Sequence, residues 1–293
     1  MLQQTVIAAV IPKYILFMHR FPNAEAFAKA DEETIRPYVS GLGYYRRFAL
    51  LHKGALQVTK EGYPQSRAKW QEIAGVGPYT SAALASITLK EAVGVVDGNV
   101  ERVLARIFNI QEILSTPPWK SAFFSFMSKL TALGSPGDLN QSVMELGQTV
   151  CRIQSPRCLA CPISNHCLSY SLKTQSLCPG PKTPKEFLKL SLLATLHTDG
   201  ENIFLVKRNE GSLLLKGTIG FPIKEIHKKP LPSKHSIKHS ITKYKITATF
   251  QHSLEAPQGE GVWIERKNME SYLLASLDQK IWRMAQKEIF SES

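Results

Sequence analysis

The chain has 293 residues, enough for two domains with cores of their own, and its 43% hydrophobic and 20% charged content is that of a soluble globular protein. No apolar stretch reaches membrane-spanning length; the best, Thr5 to Met18, is interrupted by Pro12 and Lys13. The net charge of +12 and the pI of about 9.5 point to a polyanionic partner, nucleic acid before membrane. The excess is spread out: residues 1–170 hold 17 Lys and Arg against 12 Asp and Glu, and residues 171–293 hold 19 against 12, so both halves can face phosphate. The opening MLQQT lacks the basic region of a signal peptide, which places the chain in a reducing compartment, the cytoplasm, with nucleoid association if bacterial.

Residues 1–150 read as almost all helix. Asn23 can cap the run from Ala24, and Asp31 the run from Glu32, each with acids in the first turn. Gly41 and Gly43 interrupt the pattern before a helical run over Tyr44–Val58, and residues 62–64 make a turn. A helix over Arg67–Ile73 leads through AGVGP into another ending near Leu89. A short apolar stretch then reaches Asp97 and Gly98, and helix resumes to Phe108. Two further helices are expected near Trp119–Ala132 and Leu139–Val150. A cysteine loop closes the region. Residues 171–187, with SLCPGPKTPKEF, have a linker's composition, and Cys178 within them reads as a spare thiol. Beyond, LSLLATLHT, NIFLVKR and HSITKYKITATFQHS alternate with period two as strands do, and Met269–Ile289 returns to helix. Residues 188–293 therefore form an α+β domain after a mainly α region of residues 1–170.

Cys151, Cys158, Cys161 and Cys167 take four of the chain's five cysteines within the 17 residues 151–167, with gaps of six, two and five. This loop has no apolar run to build a core, so something must hold it. Four thiolates around iron–sulfur or zinc serve that purpose; two disulfides suit small secreted chains better. In Ile73–Pro78, Gly75 and Gly77 allow a tight turn between helices, and Pro78 suits the first turn of the second helix. Backbone N–H groups at such a helix start suit a DNA phosphate, although any helix–turn–helix can contain the pattern. Asp97 follows an apolar run and precedes a helix; it is either a cap or a carboxylate at the mouth of a cleft.

Hairpin, VDGN and four spaced cysteines, in this order, resemble the layout of the helix-hairpin-helix DNA glycosylases with an iron–sulfur cluster. Over residues 1–170 the chain resembles the adenine DNA glycosylases, which remove adenine mispaired with 8-oxoguanine or guanine. The resemblance is carried by residues 1–5 (MLQQT), 41–45 (GLGYY), 76–80 (VGPYT), 97–106 (DGNVERVLAR) and 144–147 (MELG). It implies a [4Fe–4S] cluster on the four cysteines, double-stranded DNA with such mispairs as partner, no membrane, and a monomer. Related glycosylases of the endonuclease III type, which also cut the backbone, carry a lysine two residues after the second hairpin glycine; here Tyr79 stands there. Without that amine no Schiff base with the sugar forms, so base removal by water is expected rather than a lyase.

The resemblance also implies roles. Asp97 would stabilise positive charge on the deoxyribose as the N-glycosidic bond breaks, with Tyr79 and Asn99 holding that carboxylate and the sugar. Glu145 would bond to the edge of the flipped adenine; its alternative is a solvated helix face. Gln4, Thr5, Leu42 and Tyr44 would wedge into the duplex and contact the opposite lesion. For Leu42 and Tyr44 the alternative is core packing, but glycines on both sides of Leu42 favour an exposed turn. Residues 190–208 followed by KGTIGFP look like that family's Nudix-like recognition domain, without a Nudix box of glutamates. The lesion-sensing loop, Phe-Ser-His in the family, aligns with Ile241-Thr242-Lys243, where Thr242 keeps a hydroxyl. In the family a glutamate just before MLQQT protonates the departing adenine. This chain starts at Met1 without it, and general acid catalysis is worth about 10²–10⁴ in rate. An internal methionine start of a longer protein is the expected explanation; the other is an inactive descendant that still binds DNA lesions.

Overall fold

In a computed structural model of the protein the structure describes all residues except 3, 4, 6, 41, 43–45, 115, 116, 182–185, 210, 227–235, 242, 256, 258, 259 and 291–293, together with the side chains of Arg46 and Pro117. The chain divides into two compact units, residues 56–184 and residues 1–55 with 185–293. No helix among the described residues is long and apolar enough to cross a membrane.

The unit of residues 56–184 is helical. It holds the end of α4 (Arg46–Glu61), then α5 (Arg67–Gln71), α6 (Pro78–Thr88), α7 (Gly98–Ile107), α8 (Pro117–Thr131), α9 (Pro136–Thr149) and the short α10 (Leu168–Ser171). Val100, Leu104 and Ala105 of α7 pack with Ile110, Leu114, Phe123 and Met127 in its core. Asn140, fully buried on α9, replaces a strand partner for the segment entering α7. Its Oδ1 accepts from Val95 N at 2.9 Å and its Nδ2 donates to Val93 O at 2.9 Å. Between them Gly94 lies against α8, where a Cβ would come within 2.6 Å of Met127 Cβ. The course of the chain into Asp97 is thus fixed on two sides.

In the other unit, α1 (Ile7–Arg20), α2 (Ala24–Ala28) and α3 (Glu32–Val39) precede the start of α4. Asn23 and Asp31 cap α2 and α3 as expected, accepting from Ala26 N and Thr34 N at 2.8 Å each. Pro12 does not break α1. Its ring removes one N–H from the ladder, while Val10 and Phe17 hold the helix in a core with Phe21 and Phe27, whose rings stand 5.0–5.3 Å from one another and from Phe17. The α+β part has a mixed sheet in the order β4 (Ile223–Glu225), β1 (Leu188–His197), β6 (Tyr244–Ser253), β5 (Ile237–Ile241). A second sheet runs β3 (Ile219–Gly220), β2 (Asn202–Lys207), β7 (Val262–Glu265). β1 lies parallel to β6 and antiparallel to β4. The alternating run expected over residues 239–253 is two antiparallel strands, paired Ile241 to Tyr244 at the turn. The C-terminal helix is likewise divided, into α11 (Met269–Tyr272) and α12 (Ser276–Ile289). Leu277, Ile281, Trp282 and Ala285 of α12 pack on a core with Leu192, Leu196, Ile203 and Leu205.

Candidate active site and comparison with known proteins

The turn between α5 and α6 is held from one side by Gln57, which accepts from Ala74 N at 2.7 Å. Gly75 takes a positive φ of 79°, which favours glycine. Gly77 is extended; it caps α6 without a side-chain bond, with Pro78 in the first turn and open space where a Cβ would stand. The start of this helix is therefore left to a solvent or ligand acceptor. Tyr79, next in α6, is 40% exposed and donates to Met144 Sδ on α9 at 3.3 Å. Burial, and after it the negative charge of Asp97, raise its phenol above the ordinary value of 10. The phenol is therefore a proton-bearing donor at neutral pH.

Asp97 is the cap of α7. Its Oδ1 accepts from the backbone N–H of Asn99 at 2.9 Å and of Val100 at 2.8 Å. Its Oδ2 accepts from Asn99 Nδ2 at 2.9 Å. The other end of the Asn99 amide accepts from Arg102 Nη2 at 2.9 Å, so the amide's orientation is set by its partners. Arg102 also donates to Gly147 O at 2.6 Å and, through Nε, to Cys151 O at 2.7 Å. One turn on, Arg106, 3% exposed, donates to Cys151 Sγ at 3.3 Å and to the carbonyls of Arg152, Ile153, Gln175 and Cys178. Two arginines four residues apart on one helix face thus join the carboxylate to the cysteine loop. Arg102, Arg106, Asn140 and Gly147 were given no role from sequence. The first two carried a signal in their spacing after Asp97; the other two carried none, because their partners lie about 50 residues away.

The four cysteines of the loop are free thiols, each half-buried. Burial first, then the charges of Cys151 and Cys161, raise the Cys158 thiol; Cys167 is raised by burial and, less, by Cys151 and Cys158. The four sulfurs therefore share one neighbourhood. Among the described residues no three Cys, His, Asp or Glu side chains converge on a point that would hold a single metal ion. Cys178 is buried outside this set, its thiol 3.4 Å from Asn109 Oδ1.

The structure brings Tyr79, Asp97 and Asn99 together. Glu145 is exposed on α9, next to the Met144 whose sulfur accepts the Tyr79 hydrogen bond. Leu42 departs from its expectation as an exposed wedge: it is 5% exposed and packed in the core with Val10, Phe17 and Phe48, flanking glycines notwithstanding. Thr5 donates to Leu42 O at 3.2 Å and accepts from Arg47 at 2.7 Å. Gln4, Tyr44 and Thr242 lie outside the described residues.

Residues 1–122 match the model of the HhH-GPD superfamily base excision DNA repair proteins. The adenine DNA glycosylase of Homo sapiens is 41% identical over 171 residues, 57% of this chain and 31% of that protein. The adenine DNA glycosylase of Buchnera aphidicola subsp. Schizaphis graminum is 26% identical over 307 aligned positions, 96% of this chain and 88% of that protein. The chain spans about a third of the length of the plant, fungal and mammalian relatives it matches. Among solved structures, a thermostable thymine-DNA glycosylase aligns with a TM-score of 0.50 at 23% identity, covering 58% of this chain and 80% of that one, which speaks for the helical fold. The likeness to the HhH-GPD superfamily of base excision DNA repair proteins is thus carried by residues 1–122.

Proposed function

We propose that the protein is a monofunctional adenine DNA glycosylase that hydrolyses the N-glycosidic bond of adenine opposite 8-oxoguanine or guanine in duplex DNA. The observation that carries this reading is the carboxylate of Asp97. Three donors fix it, it stands beside a protonated Tyr79, and it lies in one unit with a glycine hairpin whose helix start is open. Cleavage of the bond leaves positive charge on the sugar, and a fixed anion stabilises that charge without reorganising. Tyr79 and Asn99 orient the carboxylate and the sugar. Gly75 and Gly77 expose the α6 N-terminus to a backbone phosphate. Glu145, exposed beside Met144, is placed to accept from the amino edge of the extruded base. Thr5, with Gln4 and Tyr44, is assigned to the duplex and the opposite base.

The four cysteines fit a [4Fe–4S] cluster. A four-iron cage takes one thiolate per iron, and the donors here are four uncrosslinked thiols in one loop, two of which, Cys151 and Cys167, touch the same Arg106 at 3.3 and 3.4 Å. When bound, the cluster supplies a covalent staple for the loop of residues 151–167. Iron and acid-labile sulfide in equal amounts in the purified protein test this assignment; zinc in their place rejects it. Residues 188–293 are assigned as a Nudix-like recognition domain, with Thr242 at its lesion-sensing turn.

The defining experiment incubates the protein, in a form that carries the glutamate the family places before MLQQT, with a duplex containing adenine opposite 8-oxoguanine. Adenine release is expected, and Asp97→Asn is expected to lower it by about 10²–10³-fold or more. Duplex binding without any release would replace the enzyme reading by that of a lesion-binding protein. A borohydride-trapped covalent adduct would instead favour a lyase, against the tyrosine at position 79.

A further inference from the structure

α12 carries Lys280, Arg283 and Lys287 at positions i, i+3 and i+7, one face of a helix, within about 10.5 Å of its length. All three are exposed, and with Ile237 of β5 and Met284 they line a shallow cavity of about 320 Å³. The helix has two acids. Asp278 is withdrawn from this surface: it is fully buried in a bidentate pair with Arg208, both bonds 2.7 Å. Only Glu288, at the far end, remains exposed. Lys280 is held in place by a 3.4 Å bond to His239 Nδ1, which uses one of its three N–H groups and leaves two for an acceptor. Ile237 is 6% exposed and Met284 half-buried, so the walls are largely the aliphatic stems of the three cations.

We propose that this face of α12 binds the phosphate backbone of double-stranded DNA, Lys280, Arg283 and Lys287 each taking a phosphate oxygen without reading sequence. The proposal rests on the reading of the protein as one that works on DNA. A regular row of cations with no exposed acid between them along the helix complements the repeating charge of a phosphate backbone.

The test measures binding of the whole chain to a labelled undamaged duplex by fluorescence anisotropy across a salt series. It compares wild type with the triple variant Lys280→Gln, Arg283→Gln, Lys287→Gln, and with a control triple, Lys207→Gln, Lys216→Gln, Lys267→Gln, which removes the same charge elsewhere in the same unit. Each lost phosphate contact flattens the slope of log K against log salt by about 0.9, so the α12 triple is expected to flatten it by about 2.7, and to raise Kd at about 0.1 M salt by at least about tenfold. The control is expected to change the slope by less than about one. Thermal melting confirms that both variants fold, and adenine release at saturating duplex is expected to stay unchanged. Equal effects of the two triples, or an unchanged slope in the α12 triple, would overturn the contact while leaving the glycosylase reading intact. Loss of binding to poly-glutamate with an unchanged DNA slope would likewise overturn it, in favour of an acidic protein partner. A wild-type chain that binds no duplex at all would sink the function itself.

Discussion

Asp97 serves as a helix cap and as the candidate catalytic carboxylate at once, because capping does not use up its acceptor capacity. A carboxylate has about four lone-pair sites, and the cap and the Asn99 amide occupy three. The donors hold the group still and leave it able to face a developing cation. Tyr79 reports on the same charge. Its phenol is raised by burial and then by Asp97. The folded protein thus holds this proton more tightly than the unfolded chain. The resulting stability is fully present below the ordinary tyrosine value of 10 and is lost as pH rises through the folded pKa. Ultraviolet titration, taken as the difference between wild type and Tyr79→Phe, is expected to show a phenol ionising above 10, and Asp97→Asn is expected to move it down. Ionisation at or below the ordinary value would contradict the proximity of the two groups.

At the scale of elements, the crossing of α7 and α9 carries the site. Gly147 lies where these helices meet: a Cβ there would stand 2.6 Å from Asn99 Cβ and 3.1 Å from its Cα and carbonyl oxygen, atoms with no freedom to retreat. Overpacking of this kind costs about 1–3 kcal/mol. Gly147→Ala is expected to displace Asn99 and with it the Asp97 carboxylate, lowering single-turnover base release by more than about tenfold while duplex affinity changes by less than about threefold. An unchanged rate would show that Asn99 does not position the carboxylate. Many of these elements were legible in the chain. Asn23 and Asp31 announce their helices, and Pro78 its first turn. The continuity of α1 through Pro12 was not legible there, since burial of Val10 and Phe17 offsets one missing hydrogen bond. Residues 239–253 read as one alternating run, but the pairing of Ile241 with Tyr244 sets residues three apart on one face, so the alternation changes phase where the two strands meet.

At the scale of the molecule, charge is both spread and managed. The +12 excess favours a polyanionic partner, while Arg208 and Asp278 show where charge is taken inside. Arg208 is 3% exposed and Asp278 fully buried, and the same guanidinium holds Thr218 Oγ1 and Phe221 O. Gly220 leaves room for the pair; a Cβ there would stand 2.6 Å from both guanidinium nitrogens. Asp278→Ala would strand a buried cation and is expected to cost about 3–5 kcal/mol in urea unfolding followed at Trp282, which packs in the same core. A loss under about 1 kcal/mol would show that water reaches Arg208 and pairs it. Local residues alone determined the helical run and the α+β run, the hairpin, the position of Asp97, the four-cysteine loop and the family resemblance, since each is written in contiguous motifs or short periods. Tertiary structure decided what holds Asp97 and what occupies Leu42. Arg102 and Asn140 act on partners 45–49 residues away, and Leu42 enters a core assembled from four helices. Such contacts exist only after the chain has folded, and no local pattern encodes them.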